Sequence, residues 1–157
     1  MRGRGYTVNS GGTLGGAGSI VLTNANVVVE DGGTLAPGSA AEPGTLTLGL
    51  SPDYSLTFSA TSTLALELGT QSDMLAFMTS GDFLGGSGNA VLAITQGDGF
   101  DFGESYVIID NVTTTGFTFD SITGVPPETE PEVTQVGDTY VLSFTPPPPE
   151  GSLFMLR

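Results

Sequence analysis

The sequence predicts an all-β chain, a parallel β-solenoid whose stacked coils end in an aromatic-rich, partly antiparallel C-terminal cap. Three observations carry this. A turn-and-strand phrase returns, as Val8-Asn9-Ser10-Gly11-Gly12-Thr13-Leu14 and then Val29-Glu30-Asp31-Gly32-Gly33-Thr34-Leu35, 21 residues apart, and a period of about 20 residues is what stacked β-coils produce. Short apolar runs of strand length alternate with small polar turns. The 24 Gly and 10 Pro among 157 residues punctuate the chain too often for long helices.

Strands of three to five residues are expected from Tyr6 to about Leu50. The continuous runs Ile20-Val21-Leu22 and Val27-Val28-Val29 suit parallel strands covered on both faces, and Leu46, Leu48 and Leu50 alternate as in a half-buried strand. Leu14, Val21, Val28, Leu35, Leu46 and Leu64 are the expected interior columns. The two Pro-Gly pairs of 36–44 make that segment a loop leaving the stack between coils. Strands resume at Tyr54–Phe58 and Thr63–Leu68, where Leu64, Leu66 and Leu68 share a face and Glu67 turns to solvent, and again at Asp73–Phe77.

Beyond residue 80 the strands Ala90–Thr95, Ser105–Asp110, Gly116–Ile122 and Thr139–Thr145 grow richer in Phe and Tyr, and Val136-Gly137-Asp138-Thr139 reads as a hairpin turn. A solenoid needs a distinct terminal unit to protect its last edge. The organisation expected is a disordered start at 1–5, one β-helical domain at 6–145 (repeat-like at 6–80, capping at 81–145) and a Pro-rich tail at 146–157. Pro126–Pro131 is expected to be an exposed loop.

The charge is one-sided: 17 acidic residues face three basic ones, Arg2, Arg4 and Arg157, with no Lys, His or Cys and a net charge of -14. The stretch from Gly5 to Leu156 has no cation with which to neutralise phosphates, which argues against nucleic-acid binding and against anionic membranes. Acidity of this size serves solubility and self-repulsion. No window reaches the roughly 18 apolar residues of a membrane span, so no membrane insertion by this segment is expected. Met1-Arg2-Gly3-Arg4 runs into Gly and Tyr without an apolar stretch, as in a piece of a longer chain.

The phrases Gly12-Thr13-Leu14-Gly15-Gly16-Ala17-Gly18 and Gly32-Gly33-Thr34-Leu35-Ala36-Pro37-Gly38 resemble the autotransporter-associated β-strand repeat. So do the later Gly44-Thr45-Leu46-Thr47, the Gly-Asp-Phe-Leu-Gly-Gly-Ser-Gly of 81–88 and the strand through Asp110. The resemblance covers about 8–145. It implies a right-handed parallel β-helix in a bacterial cell-surface or secreted protein, an extracellular stalk, adhesin or display scaffold whose partners would be neighbouring β-helical coils of a longer parent chain, cell-surface glycans, or host and matrix proteins.

Catalysis is not expected. Without His, Lys or Cys there is no Ser-His-Asp triad, thiol nucleophile, Schiff-base lysine or zinc cluster. Paired-carboxylate hydrolysis needs two acids at a defined separation across a cleft, and Glu30-Asp31, Asp98 with Asp101 and Glu104, or Glu67 with Asp73 have no signature spacing. The alternatives to a structural role are a carbohydrate-binding module, for which Tyr6, Tyr54, Tyr106 and Tyr140 are the stacking candidates, and a carboxylate-dependent glycosidase. No organic cofactor is expected. Calcium is the one ion considered, because Asp98, Asp101 and Glu104 put three hard oxygen donors into one loop, though not at EF-hand spacing. Asn111-Val112-Thr113 matches a glycosylation acceptor, a pattern that chance readily produces in a Thr-rich chain.

Overall fold

The computed structural model describes residues 5–39, 41–78 and 83–145. The start at 1–4, the tail at 146–157, Ala40 of the 36–44 loop and the Gly81-Asp82 pair lie outside the described residues.

Four coils of three strands follow one another. They are β1 (Tyr6–Val8), β2 (Thr13–Gly16) and β3 (Gly18–Leu22); β4 (Val27–Val29), β5 (Thr34–Pro37) and β6 (Thr45–Leu50); β7 (Ser55–Phe58), β8 (Thr63–Leu68) and β9 (Met74–Phe77); and β10 (Phe83–Gly85), β11 (Val91–Gln96) and β12 (Tyr106–Asp110). Each strand pairs with its counterpart one coil on, in parallel. The first face is β1-β4-β7-β10, the second is β2-β5-β8-β11, and the third is β3-β6-β9-β12. The chain is thus a parallel β-solenoid.

The recurring phrase has a physical cause. Between the first and second faces the chain turns through Asn9–Gly12, Glu30–Gly33, Ser59–Ser62 and Gly86–Asn89. Each turn is closed by an N–H donated back three residues, at 2.8, 2.8, 3.2 and 3.2 Å. The third residue of each turn is left-handed: Gly11 at φ 75°, Gly32 at 74°, Thr61 at 58° and Gly88 at 79°. Glycine takes this conformation without a Cβ clash, which is why it recurs at the turn before the Thr-Leu strand.

The 21-residue period holds for the first coil only. Tyr6 pairs with Val27 and Thr13 with Thr34, 21 residues apart, but Gly18 pairs with Leu46 (28) and Thr34 with Thr63 (29). The coil lengthens because the corner between the second and third faces, only Ala17 wide in the first coil, becomes the 38–44 loop in the second.

The interior is a set of apolar columns. Leu35 pairs with Leu64 and Leu64 with Leu92, all fully buried, and Leu46 with Leu75 and Leu75 with Ile109 on the third face. Burying a Leu or Ile side chain is worth about 1.5–3 kcal/mol, so these columns supply the driving force for stacking. Two of the six expected columns are corrected: Val21 is 62% exposed and Val28 lies on the outer face, while Leu22, Val27 and Val29 point inward. In a run of three apolar residues the identities do not reveal which parity faces in.

The cap follows β12. Parallel stacking continues one strand into the cap: β13 (Ser121–Thr123) adds to β11 in parallel. A hairpin of β14 (Glu132–Val136) and β15 (Thr139–Ser143) then closes the third face, β15 lying antiparallel on β12, with its turn at Gly137-Asp138 as expected. The expected strand Gly116–Ile122 shrinks to 121–123. The segment before it is held over the first face by other bonds, the Leu84 N–H donating to Thr114 Oγ1 at 2.8 Å and the Phe117 N–H to the Tyr140 hydroxyl at 3.1 Å. The 126–131 stretch is less exposed than expected. Pro127–Thr129 form a 3-10 turn that buries Thr129, whose carbonyl accepts the Thr145 N–H at 2.9 Å.

Candidate functional site at the corner of the second and third faces

Three loops stack at the corner where the chain passes from the second face to the third: 38–44, 69–73 and 97–105. They carry most of the acids singled out in the sequence. Backbone bonds hold the loops in the stack: the Gly38 N–H donates to the Gly16 carbonyl of β2 (3.1 Å), the Gly97 N–H to the Leu68 carbonyl of β8 (2.8 Å), and the Thr70 N–H to the Asp98 carbonyl of the next loop (2.8 Å).

Asp73 is the centre of this corner. Its side chain is 4% exposed, and its two oxygens are both engaged, Oδ1 by the Gly44 N–H at 2.8 Å and Oδ2 by the Glu67 N–H at 2.7 Å. Its own N–H donates to the Glu67 carbonyl at 2.7 Å. One carboxylate therefore bonds the second coil to the third. Gly38 makes room for it: at φ 75° a Cβ there would overlap Asp73 Oδ1 and lie 2.8 Å from the Gly44 nitrogen. Charge-assisted bonds to backbone N–H groups of this length are roughly twice as strong as neutral ones, which offsets the cost of burying the group.

Two shallow depressions flank the corner. One, of about 170 Å³, is floored by Ala36, Pro37, Ala65 and Asp73; the other, of about 340 Å³, lies between Pro43, Thr70, Gln71 and Asp98. Glu67 borders both. Small-molecule sites are typically about 300–1,000 Å³, mostly apolar and deep enough to bury most of a ligand. Both are open to solvent, and among the described residues no aromatic side chain lines either.

The 97–105 loop holds the calcium candidates Asp98, Asp101 and Glu104, all three exposed. Their recorded bonds are those of turns. The Asp98 carbonyl accepts from Thr70, Asp101 Oδ1 accepts the Gly103 N–H at 2.7 Å, and the Glu104 N–H donates to the Asp101 carbonyl at 3.2 Å. Among the described residues no three acidic side chains converge on a point that could hold a metal ion. The loop is pinned instead by its aromatics. Phe100 stacks on Tyr106 with ring centroids 5.3 Å apart and meets Phe102 and Phe144 edge-on at 5.0 and 5.6 Å. The Tyr106 hydroxyl accepts the Asp101 N–H at 2.8 Å and donates to the Asp101 carbonyl at 3.1 Å.

The other sequence candidates are also placed. Tyr106 and Tyr140 are buried, Tyr54 is half-buried and Tyr6 is exposed at the first coil, so the four tyrosines form no common platform. Asn111 of the acceptor motif sits at φ 60° and its side-chain amide donates to the Phe77 carbonyl at 2.8 Å, a bond that joins the third coil to the fourth. Glu30 and Asp31 lie in the first turn stack beside Ser10 and Ser59.

From the sequence Asp73 reads as the start of the strand Asp73–Phe77 and as a partner for Glu67, not as an anchor between coils. The available signal is its position: Asp73 stands directly before an apolar strand, Met74–Phe77. No protein-family model matches the chain, and no curated protein is significantly similar to it.

Proposed function

We propose that the chain is a non-catalytic structural or adhesive segment of a bacterial cell-surface or secreted protein, a β-solenoid that works through its outer surface. The observation that carries this reading is the division of the molecule into a filled apolar interior, with Leu35, Leu48, Leu56, Leu64, Leu75 and Leu92 fully buried, and an exterior whose acids sit mainly in turns. A stack of this kind gives rigidity and extended faces, the properties used by solenoids that display or bridge. The aromatics support it too. They are spent on packing at 97–106 and around Phe117, where a glycan platform would leave them exposed. A net charge of -14 suits a soluble surface that repels its own kind, and none of the described helices is long and apolar enough to cross a membrane. The partners proposed are cell-surface glycans, host or matrix proteins and further β-helical coils.

The test is to incubate the purified chain with immobilised polysaccharides, matrix proteins and whole cells, with and without calcium, scoring retention and sugar release together. Saturable retention without release is expected of an adhesive segment. Release of sugar that disappears in a Glu67→Gln or Asp101→Asn variant would replace this reading with a carboxylate glycosidase.

A further inference from the structure

The first face changes character beyond the fourth coil. β10 pairs with β7 on one side, and on the other it meets 112–119, which lies over it without forming a strand. The second face continues at this level by a parallel ladder, β13 on β11, and the third by the hairpin.

The apolar column of the first face breaks at the same level. Val8, Val29 and Phe58 stand in register, and Gly86, which follows β10, comes next in the series. At φ 80° a Cβ on Gly86 would overlap the Phe58 carbonyl, so the column has no side chain there. Phe117, buried, supplies a ring from the overlying segment, its centroid 6.2 Å from that of Phe58.

The bonds that hold the segment differ in kind from a ladder. Among the described residues a single backbone pair joins 113–119 to the coil beneath, the Gly88 N–H donating to the Thr118 carbonyl at 2.8 Å. The rest use side chains. The Leu84 N–H donates to Thr114 Oγ1 at 2.8 Å and the Thr118 N–H to Ser87 Oγ at 3.0 Å. From the hairpin, Gln135 accepts the Gly116 N–H at 3.3 Å and donates to the Thr114 carbonyl at 3.1 Å. The Tyr140 hydroxyl accepts the Phe117 N–H at 3.1 Å and donates to that same carbonyl at 2.6 Å. By contrast β8 and β11 pair over six residues. Within 112–119 only Val112 and Phe117 are buried, while Thr113, Thr115, Gly116 and Thr118 are exposed. Few apolar contacts and exposed hydrogen bonds are the marks of a segment that opens well below the free energy of global unfolding.

We propose that 112–119 is a strap that opens without the coils beneath it, with Gln135 and Tyr140 of the hairpin as its clasp. Closed, it covers the edge of β10 and completes the apolar column with Phe117. Open, it bares Phe58 and leaves the Leu84 N–H without its acceptor, so the first face alternates between a covered edge and one able to pair with an extended strand.

Native-state hydrogen exchange tests this on the amides of Leu84, Gly88 and Phe117, none of which bonds to Gln135. The expected result is one common opening constant for the three, larger than that of the β8 amides. Gln135→Ala is expected to raise that constant roughly tenfold, as loss of one or two hydrogen bonds does, and to leave β8 unchanged. Ser87→Cys with Thr118→Cys gives the converse, since the two side-chain oxygens lie 3.2 Å apart and the parent has no Cys. Oxidation of that pair is expected to slow the three amides toward the β8 rate, and reduction to restore them. Exchange of the three at the β8 rate in the parent overturns the proposal, because the strap then opens only with the stack. So does a Gln135→Ala variant in which Gly116 alone is faster, or a disulfide that leaves the three amides as fast as in the reduced form. None of these readouts depends on what the outer surface binds.

Discussion

Asp73 binds two coils with one carboxylate, and its replacement separates that role from mere burial. Asp73→Ala leaves the Gly44 and Glu67 N–H groups without their acceptor in a site 4% exposed, and losing charge-assisted bonds to buried donors costs about 1.5–3 kcal/mol. We expect a lower urea midpoint at unchanged slope, with Asp73→Asn also destabilised because its amide NH2 would face one of the two donors. Thr61 makes the opposite prediction. It is the β-branched residue at the turn position where the other three coils have Gly, at φ 58°, and a left-handed non-glycine residue costs about 1–2 kcal/mol. Thr61→Gly is expected to raise stability by about 0.5–1 kcal/mol, the strain relieved less the entropy that Gly adds to the unfolded chain, measured by the same denaturation. Gly11, Gly32 and the Thr-Leu that follows were legible as a turn entering a strand because the conformation selects the residue. Asp73 was not legible as an anchor, because its donors are backbone groups of Gly44 and Glu67, and backbone leaves no trace in side-chain identity.

At the scale of strands, parity decides what a substitution costs. Leu64 sits inside β8 between Leu35 and Leu92 and is fully buried, and truncating a Leu in such a site costs about 2–5 kcal/mol. Val28, one face over and pointing outward, is expected to tolerate Ala within about 0.5 kcal/mol. Thermal melts of Leu64→Ala and Val28→Ala should differ accordingly; similar losses would mean that the register of β4 is wrong. The alternating strands, Leu46/Leu48 and Leu64/Leu66/Leu68, were readable because every second residue is polar or small. Val21 and Val28 were misread because their neighbours on both sides are equally apolar, and only the pairing of Val27 with Leu56 and of Ile20 with Leu48 settles the parity. The period was readable for one coil and then lost, since loops such as 38–44 lengthen a coil without moving its strands.

The whole molecule is a stack of nearest-neighbour contacts, and its stability is about the sum of each coil's own and its interfaces. The solenoid class and the closing hairpin at 136–139 were legible, since both are local patterns. The wrapping of 112–119 over the first face was not, because it depends on Thr114 meeting Leu84, Thr118 meeting Ser87 and Phe117 meeting Tyr140 across 23 to 31 residues of chain. If function resides in outer surface on a rigid filled stack, the stack itself must persist in solution. Native-state hydrogen exchange resolved by segment measures this directly. Protection should run unbroken through β5, β8 and β11, each paired on both sides, and fall in the corner loops 38–44 and 97–105. Exchange in β5, β8 and β11 as fast as in those loops would contradict the parallel stack, and with it the scaffold reading.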